Sequence, residues 1–154
     1  MIYFVRVYSE NQDLRIGETF LKIGYSSNGG QSRLGSLQAG NPDKLELFFE
    51  VYGDKDTECL VHKYFSEDRV NGEWFKINEN NYKYFDIMLH FFDYAYRSAN
   101  ELKNIDEETY NKKVAEEINK SIDFLIKLKR YNSFKEKADQ QDFSHLEDMA
   151  GDGI

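Results

Sequence analysis

Residues 21–42 read LKIGYSSNGGQSRLGSLQAGNP, and the fold turns on how this stretch is divided. Lys22 lies between Leu21 and Ile23 and, on a strand, points away from both. Gly24 and Gly29-Gly30 let the chain turn, because glycine reaches backbone angles that other residues avoid. Ser32 to Ala39 then reads as a short helix with Leu34 and Leu37 on one side, capped at its C-terminal end by Gly40 and stopped by Pro42. Turn geometry accounts for the glycines. It leaves Lys22 and Arg33, two cations flanking the turn, without a purpose.

Upstream, MIYFVRVY (1–8) and ETFLKIGY (18–25) are rich in aromatic and β-branched residues and predict two strands. The polar SENQDLRIG between them suits a long hairpin loop. Downstream, KLELFFEVYG (44–53) alternates as a third strand. DKDTECLVHKYF (54–65) changes period, placing Leu60, Val61, Tyr64 and Phe65 on one helical face with acidic residues in the first turn, where the helix dipole favours them. VNGEWFKI (70–77) reads as a turn and a short extended piece. The first 80 residues thus predict a compact β-β-α-β-α-β arrangement.

The remainder is helical. YKYFDIMLHFFDYAY (82–96) carries Phe85, Met88 and Phe92 with Ile87 and Phe91 at helical spacing, a wide apolar face. A second helix over about 107–131 carries Tyr110, Val114, Ile118, Ile122, Leu125 and Leu128 in a stripe. The two predict a hairpin packed on the first region or on a second copy of the chain, and the 84–96 segment equally suits a lid completing the first region. The expected class is α+β: a small, three-stranded, mainly antiparallel sheet flanked by helices (1–80), a C-terminal helical hairpin (81–137) and an acidic, flexible tail (138–154).

The chain has 154 residues, including 12 Phe, 11 Tyr and one Trp, enough to build one buried core. Its net charge of -8 argues against broad attraction to nucleic acid or anionic lipid, so a polyanionic partner needs a local basic patch. Five acidic residues and no Lys or Arg follow Lys137, leaving -3 for residues 1–137. The single Cys59 excludes an internal disulfide and a multi-cysteine metal site, in keeping with a reducing compartment. No apolar run approaches a membrane span, and the N-terminus lacks signal-peptide character. These features predict a cytoplasmic protein without membrane contact.

Singly, the candidate residues have bland readings. Tyr3 suits a core aromatic, Lys22 a solvated strand residue, Arg33 a surface charge. Glu58 and His62 lie four apart on one helix, the spacing of a hydrogen-bonded pair or of two metal ligands. His62 suits a phosphate contact or proton shuttle near neutral pH, or equally a structural bond that orients Glu58. In Glu73-Trp74-Phe75 the aromatics read as a core closure more readily than as a base-stacking platform.

Their order is more specific. YFV (3–5), LKIGYS (21–26), RLGSLQAGNP (33–42), LELFF (45–49), ECLVHKYF (58–65) and GEWF (72–75) together resemble the GIY-YIG nuclease superfamily, in particular its branch of phage and fungal sequences related to a meiotically up-regulated gene product. The resemblance implies a strand tyrosine, Tyr3, that helps activate the attacking water. It also implies a helical arginine, Arg33, facing the scissile phosphate, and a helical carboxylate, Glu58, binding one Mg²⁺ or Mn²⁺. His62 matches the branch's LH position. Met1 stands where the family has glycine, and Lys22 where it has tyrosine. Lysine offers positive charge to phosphate but not a phenol's donor and acceptor pair; Tyr25 supplies a phenol next to the turn, as a candidate substrate contact beside Lys22 and Arg33. The gap between Tyr3 and Lys22 is long for the family, an excess assigned to the loop at residues 9–18. A final asparagine finds only Asn78 and Asn80 nearby.

The function this implies is metal-dependent endonucleolytic cleavage of DNA, with the helical half serving dimerisation or substrate positioning. Guanidinium and metal both suit the negative charge that develops during phosphodiester hydrolysis, and Mg²⁺ commonly needs only one or two protein carboxylates. One alternative is a binding protein that holds nucleic acid or a protein partner without cutting. Another is an acidic viral inhibitor of a host factor.

Overall fold

The computed structural model describes residues 1–8, 10 and 17–151, with side chains through residue 140. Most of the expected 9–18 loop, and residues 152–154 of the acidic tail, lie outside the described residues. The elements in chain order are β1 (Ile2–Val7), β2 (Glu18–Tyr25), α1 (Gly30–Gln38), β3 (Leu45–Val51), α2 (Lys55–Tyr64), a 3-10 turn (Ser66–Asp68), β4 (Arg69–Asn71), β5 (Trp74–Asn78), α3 (Tyr82–Asn100) and α4 (Glu107–Gly151). The class is α+β.

The strands form one sheet in the order β3-β1-β2-β5-β4, every neighbouring pair antiparallel. Five strands replace the three expected, because VNGEWFKI is a hairpin and not a single extended piece. Gly72, with φ of 55°, supplies the left-handed backbone that a two-residue hairpin turn requires between Asn71 and Trp74. β5 then pairs with the outer edge of β2, so β2 is bonded along both sides.

The pairing of Tyr3 with Gly24, Val5 with Lys22, and Lys22 with Trp74 puts these five residues on one face of the sheet. Leu34 and Leu37 of α1 cover part of that face, packing with Tyr3, Val5, Leu45, Leu47 and Trp74. On the opposite face Ile2, Phe4, Leu21, Ile23, Phe75 and Ile77 meet α2, α3 and α4 in the main core. That core runs without a break from strand residues to Phe85, Met88 and Phe92 of α3 and Val114, Ile118 and Ile122 of α4. The helical hairpin therefore packs on the sheet of its own chain, and the sheet's apolar face is closed by residues beyond position 80. Trp74 and Phe75 close opposite faces.

Arg6 is 2% exposed and ion-pairs with Glu46, its guanidinium lying 4.5 Å from the centre of the Phe48 ring. α4 is 45 residues long, continuing from the expected end near 131 through most of the acidic segment. Leu128, assigned by its spacing to the buried stripe, lies outside it: 38% exposed, with Phe124 and Tyr131, on the helix's outer surface. No described helix is long and apolar enough to cross a membrane.

The closest fit in the sheet is Tyr3 over Gly24. A Cβ at Gly24 would lie 2.5 Å from Tyr3 Cζ and nearer still to the hydroxyl. Gly24→Ala is therefore expected to destabilise the protein by about 1–3 kcal/mol through overpacking, read by urea denaturation; a loss below about 0.5 kcal/mol, the level of a neutral surface change, would show that the ring does not lie across this position.

Candidate functional site

α2 carries two of the expected site residues and is fixed at both ends. At its start the Asp54 carboxylate accepts from the Thr57 backbone N–H at 2.9 Å, and the Asp54 N–H donates to Thr57 Oγ1 at 3.0 Å, a capping box that satisfies otherwise orphaned donors. Thr57 is fully buried, and its hydroxyl donates to Asn119 Oδ1 of α4 at 2.6 Å. At its end Lys129 of α4 donates to the Tyr64 carbonyl at 2.7 Å, placing positive charge at the negative end of the helix dipole. The Lys129 ammonium lies 4.5 Å from the centre of the Tyr84 ring and 5.0 Å from that of Tyr64. Burial among these rings holds its pKa below the usual lysine range, with Asp68 and Glu67 pulling the other way.

This clamping aims Glu58 and His62 at the end of β2. There they meet Glu73, carried on the turn between β4 and β5; one ligand atom from each of the three residues lies within 4.8 Å of the others, and all three are half-buried. His62 Nε2 is 2.7 Å from the Ile23 carbonyl. A carbonyl only accepts, so Nε2 is the donor in this bond. The ring rests 5.2 Å from the centre of Phe75. Glu73 is placed by the Ile23 N–H, which donates to its backbone carbonyl at 3.1 Å, and its carboxylate pairs with Lys22 Nζ at 2.6 Å.

Four side chains are thus brought together: Lys22, Glu58, His62 and Glu73. Glu73 was not among the candidates read from the sequence. Its signal was present in the Asn71-Gly72 turn, but the neighbours of Glu73 follow only from β5 pairing with β2, which no local pattern states.

The remaining candidates sit apart from this cluster. Tyr3 is 2% exposed on β1, opposite Gly24. Its partner on the other side is Glu50 of β3, whose carboxylate accepts from the Gly30 N–H at 2.7 Å at the start of α1. This carboxylate serves the N-terminus of α1, whose N-cap Gly29 makes no side-chain bond. Arg33 is exposed on α1, the helix on the Tyr3 face, and has no ion-pair partner among the described residues. Tyr25 packs against the main core on the opposite face. Asn78 Oδ1 accepts from the Asn80 N–H at 2.9 Å, and both shape the turn into α3.

A family model described as the T5orf172 domain matches residues 1–123. No curated protein and no solved structure matches the chain. The family match corrects the resemblance to the GIY-YIG superfamily: the ordered motifs of the first half belong to a distinct family, and one that reaches past them through α3 and into α4.

The cap that starts α2 gives a pH signature. The Thr57 N–H bond holds the Asp54 carboxyl below its ordinary pKa of 3.8, so the cap contributes fully above that value and fades as pH falls through the lower, folded-state pKa. Asp54→Ala is expected to lose about 1 kcal/mol near pH 7, and its deficit against wild type should narrow as denaturation is followed into acid below pH 3.8. A constant deficit across that range would rule out the charged cap as its source.

Proposed function

The chain belongs to the T5orf172 family, and we propose that this member is an endonuclease that hydrolyses phosphodiester bonds in DNA with one divalent ion. The observation that carries the proposal is the convergence of Glu58, His62 and Glu73 within 4.8 Å beside the cation Lys22.

The donor set fits a divalent ion. Two carboxylates supply hard oxygen ligands, and the hydrogen bond to Ile23 orients the imidazole with Nδ1 free, the arrangement in which metal-binding histidines are usually held. The two carboxylates suit Mn²⁺, and Mg²⁺ can likewise use them alone and fill its sphere with water. When bound, the ion supplies charge stabilisation at the phosphoryl group and lowers the pKa of a coordinated water.

The chain's own residues hold the substrate. Lys22 and Arg33 are the cations available to the phosphate, Arg33 through its planar fork. Tyr3, nearly buried, shapes the floor of this face beneath Gly24 and takes a smaller share of the chemistry than the resemblance assigned it. Non-cleaving binding of nucleic acid is the second reading, favoured by that burial of the phenol and by the Lys22–Glu73 pair, which already occupies a cation the reaction would use.

With Mn²⁺ and supercoiled plasmid or single-stranded DNA, wild type is expected to cut. Glu58→Ala should lose roughly 10²-fold or more in rate and Arg33→Ala a comparable factor, whereas Tyr3→Phe should lose less than either. Undiminished cutting by Glu58→Ala overturns this site. Salt-sensitive DNA binding without cutting by wild type selects the second reading.

A further inference from the structure

Lys22 is the one lysine or arginine ion-paired to the cluster among the described residues. It holds Glu73 at 2.6 Å with 16% of its side chain exposed, while Glu58 has no ion-pair partner among the described residues. The pocket therefore carries two carboxylates and one ammonium, with the His62 proton committed to Ile23. A divalent ion arriving at Glu73 meets an ammonium already bound to one carboxylate oxygen. Two like-charged centres cannot share a carboxylate at that range without repulsion, which is large where solvent is partly excluded.

We infer, resting on the divalent-ion reading above, that Lys22 is a resident counter-ion which the metal displaces, and that displacement is what makes its ammonium available to substrate phosphate. Lys22 leaves the strand on the face it shares with Tyr3 and Gly24, the face that Leu34 and Leu37 of α1 partly cover. Once freed from Glu73 its ammonium turns toward that face, where an anion is its best partner. Metal and phosphodiester then bind with positive coupling, and by linkage each strengthens the other by the same factor. Without metal, the Lys22–Glu73 pair ties up one carboxylate and the ammonium together, which keeps the affinity for either ligand low.

The test is Mn²⁺ titration of the full chain, without nucleic acid, by calorimetry and by the paramagnetic signal of free Mn²⁺. Lys22→Met keeps the aliphatic stem and removes the competitor, so its Mn²⁺ affinity is expected to rise about tenfold or more over wild type. Glu73→Gln removes the same ion pair from its other side and is expected to weaken Mn²⁺ binding by a similar factor. Opposite shifts from one broken pair cannot come from misfolding. In a second arm, Mn²⁺ should tighten wild-type binding to phosphorothioate DNA and do so much less in Lys22→Met. If Lys22→Met binds Mn²⁺ no more tightly than wild type, while Glu58→Gln abolishes binding, the displacement idea is overturned and the metal site stands. If wild type shows no Mn²⁺ binding that Glu58→Gln removes, both fall together.

Discussion

The backbone of one residue organises the site. The N–H of Ile23 donates to the Glu73 carbonyl, and the C=O of Ile23 accepts from His62, so a single residue in the middle of the sheet ties down the β4–β5 turn on one side and α2 on the other. Both bonds are possible only because β2 is a central strand whose outer edge is open at that point to a partner other than a continuing ladder. Buried backbone groups must find partners, and here the partners chosen are the carriers of the two groups that join Glu58. The Ile23 side chain, meanwhile, is fully buried in the main core, so the anchor itself has little freedom to shift.

The second constraint is the pair of contacts from α4. Asn119 meets the first turn of α2 through Thr57, and Lys129 meets its last carbonyl. A ten-residue helix has little intrinsic stability in water, and the packing of Val61, Tyr64 and Phe65 alone would allow it to slide along its axis. Polar contacts at both termini remove that freedom. The direction of His62 is thus set by residues more than fifty positions away in sequence.

Much of this was legible beforehand, and for local reasons. α2 announced itself through its change of period and acidic first turn, and the structure adds that Asp54 is its cap. Gly24 was recognisable as a position needing glycine, but the cause is the ring of Tyr3 across the strand pair and not a turn, since β2 runs on through Gly24 to Tyr25. α3 and α4 followed from apolar spacing. What escaped was non-local. β4 and β5 are too short to be distinguished from a turn without the edge of β2 beside them, and Glu73 went unnoticed with them. Tyr25 was ambiguous because a strand end does not declare which face its last side chain takes. Leu128 fits the buried period of α4, but beyond Leu125 the side of the helix that meets the body passes through Ile126 and Lys129, which leaves Leu128 facing outward. The family was misjudged because short motifs shared in order constrain a local arrangement of strand, turn and helix more tightly than they constrain ancestry.

The reach of α4 separates two boundaries that are often treated as one. The family match stops at residue 123, while the lysine that closes the C-terminal end of α2 is at position 129. The stretch that defines the family is therefore shorter than the stretch that must be present for its helix to be held at both ends. A module excised at the family boundary would keep Asn119 and lose Lys129, leaving α2 hinged at its first turn with His62 near the loose end. The site's unit of inheritance and its unit of mechanical integrity differ by a little under two helical turns.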